Sequence, residues 1–91
     1  MALYTGAATY RTESDGALKL TGSGVQLTHA AAAARLADAL IADAAQQAVG
    51  EIVASITEDT PSGSPVIFSA WGSVDSVLAA LKQHRAATDA N

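Results

Sequence analysis

Alanine constrains this chain most, because it supplies 22 of the 91 residues. About half of the residues that make up the 49% hydrophobic fraction therefore offer only one methyl group for burial. Large apolar side chains are scarce, and a domain of this length has little core to spare. Small folds of this kind often gain stability by self-association. We expect one domain over residues 1–91 that associates with copies of itself.

Charge and cysteine content exclude several classes of protein. The 9 acidic and 5 basic residues give a net charge of −4, and scattered basic residues cannot neutralise a run of phosphates, so we expect no nucleic-acid partner. The absence of cysteine excludes disulfides, thiolate metal sites and cysteine nucleophiles. We also expect no signal peptide, no transmembrane segment and no membrane partner, and a cytoplasmic location or one within a larger particle.

The first part of the chain has the pattern of a β-hairpin. Residues 2–12 are rich in Thr and Tyr and predict a strand. Residues 14–16, Ser-Asp-Gly, suit a tight turn, and residues 17–27 predict the returning strand. The apolar alternation of that strand shifts by one residue at residues 22–24, Gly-Ser-Gly, where a β-bulge would restore its apolar side chains to one face.

A helix and a second pair of strands follow. Thr28 is a suitable N-cap for a helix over residues 29–49, and Gly50 can end it. The β-branched residues within 51–58 favour a strand, the alternative being an extension of the helix. Residues 59–64 predict a turn, and residues 65–71 form the strand with the strongest pattern. Apolar residues occur on both faces of this strand, which indicates an inner strand or one whose second face meets a partner.

Ser73 predicts the N-cap of a second helix over residues 74–87, and residues 88–91 form a polar tail. The element order is therefore ββαββα, and a weak internal duplication of one ββα unit is an open alternative. The simplest solution is an α+β two-layer sandwich, in which both helices lie on one face of a four-stranded, mainly antiparallel sheet.

The sequence contains no recognisable catalytic or ligand motif. His29 and His84 lie near helix ends, have no metal-ligand spacing and are expected to be solvated. Residues 22–24 lack the third glycine of a dinucleotide-binding loop, and the adjacent acids Glu58 and Asp59 suit a solvated turn. We therefore predict no catalytic, cofactor-binding or metal site, and an enzyme is the less favoured class.

Four residues are candidates for an interface: Trp71, Ile67, Tyr4 and Tyr10. Aromatic residues are enriched at protein interfaces, Trp and Tyr above all at their energetic centres. Trp71 is the only tryptophan, and it ends the strongest strand. It is either a plug of the core or the anchor of an interface.

These observations favour a non-catalytic structural or protein-interaction module. It would be a self-associating subunit of a larger assembly, such as a virus-like or phage structural component, and its partners would be itself, another protein, or both. One alternative is an acidic inhibitor of a basic protein, of the antitoxin or immunity type. Another is a small enzyme or ligand-binding protein with a pocket near His29 or Tyr10.

Overall fold

Four antiparallel strands in the order β2-β1-β3-β4 form a sheet with helices packed on one face, in a computed structural model of the chain. The structure describes residues 3–12, 16 and 18–89, and for residue 47 and residues 86–89 it describes the backbone. The elements are β1 Leu3–Thr12, β2 Leu18–Gln26, α1 His29–Ala39, a π-helical turn Leu40–Ala44, α2 Ala45–Gln47, β3 Ala48–Asp59, β4 Val66–Gly72 and α3 Val74–Asp89. The predicted α+β sandwich with the order ββαββα is confirmed.

Both helix starts are capped as the sequence predicts. The Thr28 hydroxyl accepts a hydrogen bond from the Ala31 amide at 3.1 Å, and the Ser73 hydroxyl accepts one from the Ser76 amide at 3.2 Å. Each cap satisfies a backbone N–H that has no partner within its helix. The two caps fix where each chain segment turns from sheet to helix.

The predicted bulge in β2 is present. The pairing of β1 with β2 shifts between Gly6 and Ala7, so that Ser23 is the extra residue. The Gly6 amide donates to the Ser23 hydroxyl oxygen at 2.7 Å. A Cβ atom on Gly22 would lie 2.6 Å from the Gly6 carbonyl oxygen, so this close approach of two strands requires glycine. The bulge places Leu18, Leu20 and Val25 on one face, as expected, but this face is exposed.

Some boundaries differ from the prediction. The first helix continues through the π-helical turn and ends at Gln47, because β3 already begins at Ala48. The second helix continues to Asp89, so the start of the predicted polar tail is helical. The predicted turn over residues 59–64 is confirmed by the two bonds between Thr60 and Gly63. Ser14 and Asp15 of the first predicted turn lie outside the described residues.

β4 lies at an edge of the sheet, so the expectation that it is an inner strand is wrong. Its pairing with β3 shifts between Ile56 and Thr57. This irregularity leaves Val66 and Trp71 exposed, while Ile67 and Phe68 pack against the core. β4 therefore has apolar residues on both faces, although the helices cover only one of these faces.

The core lies between the helices and the inner face of the sheet. Three of its six apolar strand residues are alanine, and the larger buried side chains come from the helices, from β3 and from Tyr10 of β1. The buried apolar residues are Ala8, Tyr10, Ala32, Ala33, Leu36, Leu40, Ala44, Ile52, Ile56, Ala54, Ala70, Val77 and Leu81. Six of these thirteen are alanine, so the helices can approach the sheet closely.

Gly6 marks a close approach of α1 to the sheet. A Cβ atom at this position would lie 3.1 Å from both the Cβ and the Cδ2 atoms of Leu36, which is fully buried. Because Gly6 has no side chain, Leu36 can occupy the space next to it. The packing of α1 on β1 depends on this pair.

We predict that Gly6→Ala lowers the free energy of unfolding by about 1–3 kcal/mol, the usual cost of overpacking a filled core. The cost should be smaller in a Leu36→Ala background, because truncation removes the Cδ2 atom that the new methyl group meets. Chemical denaturation of the four proteins of this double-mutant cycle measures the coupling. Equal costs in both backgrounds would contradict the proposed contact.

Candidate functional site

The face of the sheet opposite the helices carries large apolar side chains, and we call it the open face. Its central row crosses all four strands through the register partners Leu20, Thr9, Val53 and Trp71. A second row contains Val25, Thr5, Thr57 and Val66. Residues paired across neighbouring strands point to the same side of a sheet. The open face is therefore a continuous surface built from all four strands.

Trp71 is the most prominent side chain of the open face. It is 70% exposed, although tryptophan is the largest apolar residue. Of the two interpretations of Trp71 from the sequence, the core plug is therefore wrong. Its neighbours in the central row, Val53 at 54% and Leu20 at 73%, are also exposed. Such a concentration of exposed apolar residues on one face is unusual for a monomer.

A shallow depression lies beside Trp71 on the open face. Ala7, Thr9, Leu20, Val53 and Ser55 line it, together with Ala8, and its volume is about 100 Å³. Val53 is the register partner of Trp71, so the protruding indole and the depression lie on neighbouring strands. The open face thus has a raised part and a recessed part side by side.

Charged residues occur at opposite ends of the open face. Arg11 is exposed near the end of β1, and its guanidinium donates to the Gly16 carbonyl oxygen at 3.0 Å. Asp59 pairs with Leu3 at the other end, where its carboxylate accepts a 3.0 Å hydrogen bond from the Thr5 hydroxyl. The two central rows between these ends contain no charged side chain.

The other three interface candidates lie on the helix side of the sheet. Tyr10 is only 4% exposed and belongs to the core. Ile67 and Tyr4 are half-buried and pack against that core. Of the four candidates, only Trp71 lies on the open face.

The two histidines meet at one end of the helix layer. The Nε2 atoms of His29 and His84 lie 2.5 Å apart, and both side chains are half-buried. The ring of His29 stacks on Tyr4 with centroids 5.4 Å apart, and the ring of His84 contacts Phe68 at 4.6 Å. The expectation of solvated histidines is therefore wrong. The fold brings together two residues that are 55 positions apart in the sequence.

The surroundings shift the pKa values of two residues in this cluster. Desolvation, with a smaller contribution from the neighbouring His29, lowers the pKa of His84. The hydrogen bond from the Tyr4 hydroxyl to Glu58 Oε2, 3.1 Å long, raises the pKa of Tyr4. Desolvation therefore favours the neutral form of His84, and the Tyr4–Glu58 hydrogen bond ties the ring that stacks on His29 to β3. Glu58 does not lie in a simple solvated turn.

A groove of about 370 Å³ separates α1 from α3 on the outside of the helix layer. Ala33, Ala37, Ile41, Leu78 and Leu81 supply much of its apolar wall, and Asp38, Lys82 and Arg85 are its charged lining residues. Neither this groove nor the depression on the open face is lined by His29 or Tyr10. These two spaces therefore give no support to the alternative of a pocket at those residues.

No group of three or more His, Cys, Asp or Glu side chains is arranged to hold a metal ion within residues 3–12, 16 and 18–89. In the same part of the chain, no helix is long and apolar enough to cross a membrane.

We predict that Trp71→Ala lowers the free energy of unfolding of the monomer by less than about 1 kcal/mol, the size of one cross-strand pair. Ile52→Ala, in the neighbouring strand, should cost roughly 2–5 kcal/mol, because Ile52 is fully buried. Urea denaturation at low protein concentration measures both values. A large loss of stability for Trp71→Ala would instead place the indole in the core.

Comparisons with known proteins provide no relative from which a function can be transferred. No protein-family model matches the chain, and neither curated protein sequences nor solved structures gave a match. The open face and the histidine cluster are therefore the features of this chain that bear on its function.

Proposed function

We propose that this protein is a protein-interaction module that self-associates through the open face of its sheet. The observation that carries this proposal is the uncovered apolar row Leu20, Val53 and Trp71, which crosses the sheet. Burying apolar surface is favourable by roughly 25 cal/mol per Å². The helices already occupy the other face, so a partner is the remaining means of covering this one.

The size of the open face suits a partner as large as the protein itself. The molecule is a slab with extents of 41 × 26 × 17 Å. Its broad side has an outline of about 1,000 Å², compared with roughly 800 Å² per partner in a standard interface. Two copies packed through their sheets would form four layers, helix–sheet–sheet–helix, with the sheets about 10 Å apart.

The shape of the open face favours a second copy as the occupant. In a two-fold dimer each subunit presents the same surface, so a protrusion must meet a recess of the same surface. Trp71 is such a protrusion, and the depression bounded by Leu20 and Val53 is such a recess. The indole of each copy would fill the depression of the other.

Charge also supports self-association. The chain has a net charge of −4, yet the central rows of the open face are uncharged, so two copies can meet without placing like charges in the interface. When the strands of one copy run opposite to those of the other, Arg11 lies near Asp59 of the second copy at both ends. These rim pairs would set the orientation more than the affinity.

The experiment is sedimentation velocity over a wide range of protein concentrations. The wild-type chain should change from monomer to dimer, and Trp71→Ala and Val53→Asp should remain monomeric. Val53→Asp retains the tryptophan, so its fluorescence spectrum should match that of the dilute wild-type protein. Dimerisation of the wild-type chain should shift the emission to shorter wavelength as the indole leaves water.

Ile41→Ala is the matched control. Ile41 is 56% exposed, similar to Val53, but it belongs to the helix layer. Its truncation removes exposed apolar surface without changing the open face, so association should be unchanged. A wild-type chain that stays monomeric at every concentration would contradict the proposal, as would dimers that persist in both open-face variants.

A further inference from the structure

We propose that His29 and His84 form a binding site for one divalent transition-metal ion of the Zn²⁺ type. The site lies in the helix layer, away from the open face, and is independent of the proposed self-association. Its chemical basis is the convergence of two imidazole nitrogens from different helices on one point.

The geometry requires only a small adjustment to admit an ion. Zinc binds histidine nitrogen at about 2.0–2.1 Å, so two ligands of a tetrahedral ion lie about 3.3 Å apart. The two Nε2 atoms are 2.5 Å apart, and a small rotation of the rings separates them by the remaining distance. Both atoms are Nε2, and each faces the ring of the other histidine.

The surroundings hold both rings in place for binding. Tyr4 stacks on His29 in a nearly parallel arrangement, with 2° between the ring planes. Phe68 contacts the ring of His84. Packing that fixes ligand orientation in this way reduces the cost of ordering a metal site.

The ligand set determines which ion is expected. Imidazole nitrogen suits Zn²⁺, Cu²⁺ and Ni²⁺, whereas Mg²⁺ prefers oxygen ligands. No third His, Cys, Asp or Glu joins this pair among the residues that the structure describes. Two protein ligands leave the other coordination positions to water, so the site is an open one.

The composition of the chain makes the test unambiguous. The sequence contains 2 histidines and no cysteine, so no other side chain offers an imidazole or thiolate ligand. Isothermal titration with zinc chloride should give one saturable site per chain, and magnesium chloride should give none. His29→Gln and His84→Gln should each weaken zinc binding by at least about tenfold, because removing a ligand costs no less than removing a second-shell partner.

Two controls separate this site from other effects. Tyr4→Phe keeps the ring that stacks on His29 and both ligands, so its zinc affinity should stay within a few-fold of wild type. Trp71→Ala should bind zinc as the wild type does whether or not it dimerises. Failure of the proposed self-association would therefore leave the zinc result unchanged.

A measurement on the wild-type chain tests the zinc site without requiring that the variants fold. In an NMR spectrum of the histidine rings, zinc should shift the signals of both imidazoles together, with saturation at one equivalent. Absence of saturable binding would overturn the proposal and leave an N–H···N hydrogen bond between the rings as the full role of the pair. Zinc affinity equal to that of the wild type in both glutamine variants would overturn it as well.

Discussion

The close packing of an alanine-rich helix on an inner sheet face of small residues is the contact on which the rest of this structure depends. Gly6, Ala8, Ala54 and Ala70 bring little volume to that face. α1 can therefore lie close to the strands, and Leu36 fills the space above Gly6. The larger residues of the inner face, Tyr10, Ile52 and Ile56, are also buried there and fill the rest of the core. The few large core residues come mainly from the helices and from β3.

The open face results from the two-layer architecture. The inner face buries Tyr10, Ile52 and Ile56 in the core, whereas Val53, Trp71 and Leu20 lie on the other side of the sheet and are exposed. A two-layer sandwich has no second helix layer to cover it. The chain has few large apolar residues, and the core contains fewer still because several of them are exposed on the sheet. The proposed self-association would compensate for the small core and cover the exposed surface.

The histidine pair depends on the topology in a different way. His29 lies in the first turn of α1 and His84 near the end of α3. The two helices lie side by side and run in directions that bring these ends together. Each ring then contacts an aromatic residue of a strand, Tyr4 or Phe68. No local signal in the sequence reveals this meeting, because spacing patterns for metal ligands describe residues of one segment.

By itself the sequence determined the elements, their order and their caps, because hydrophobic period, β-branching and residues such as Thr28, Ser73 and Gly22 act over a few positions. It also made Trp71 a candidate for an interface, but the apolar residues of β4 could not distinguish an inner strand from an edge strand with an uncovered face. Strand order, the side of the sheet that the helices cover and the contact between His29 and His84 were decided only by tertiary structure. Their physical reason is long-range packing, because they depend on contacts between residues far apart in the sequence, such as that of Leu36 with Gly6.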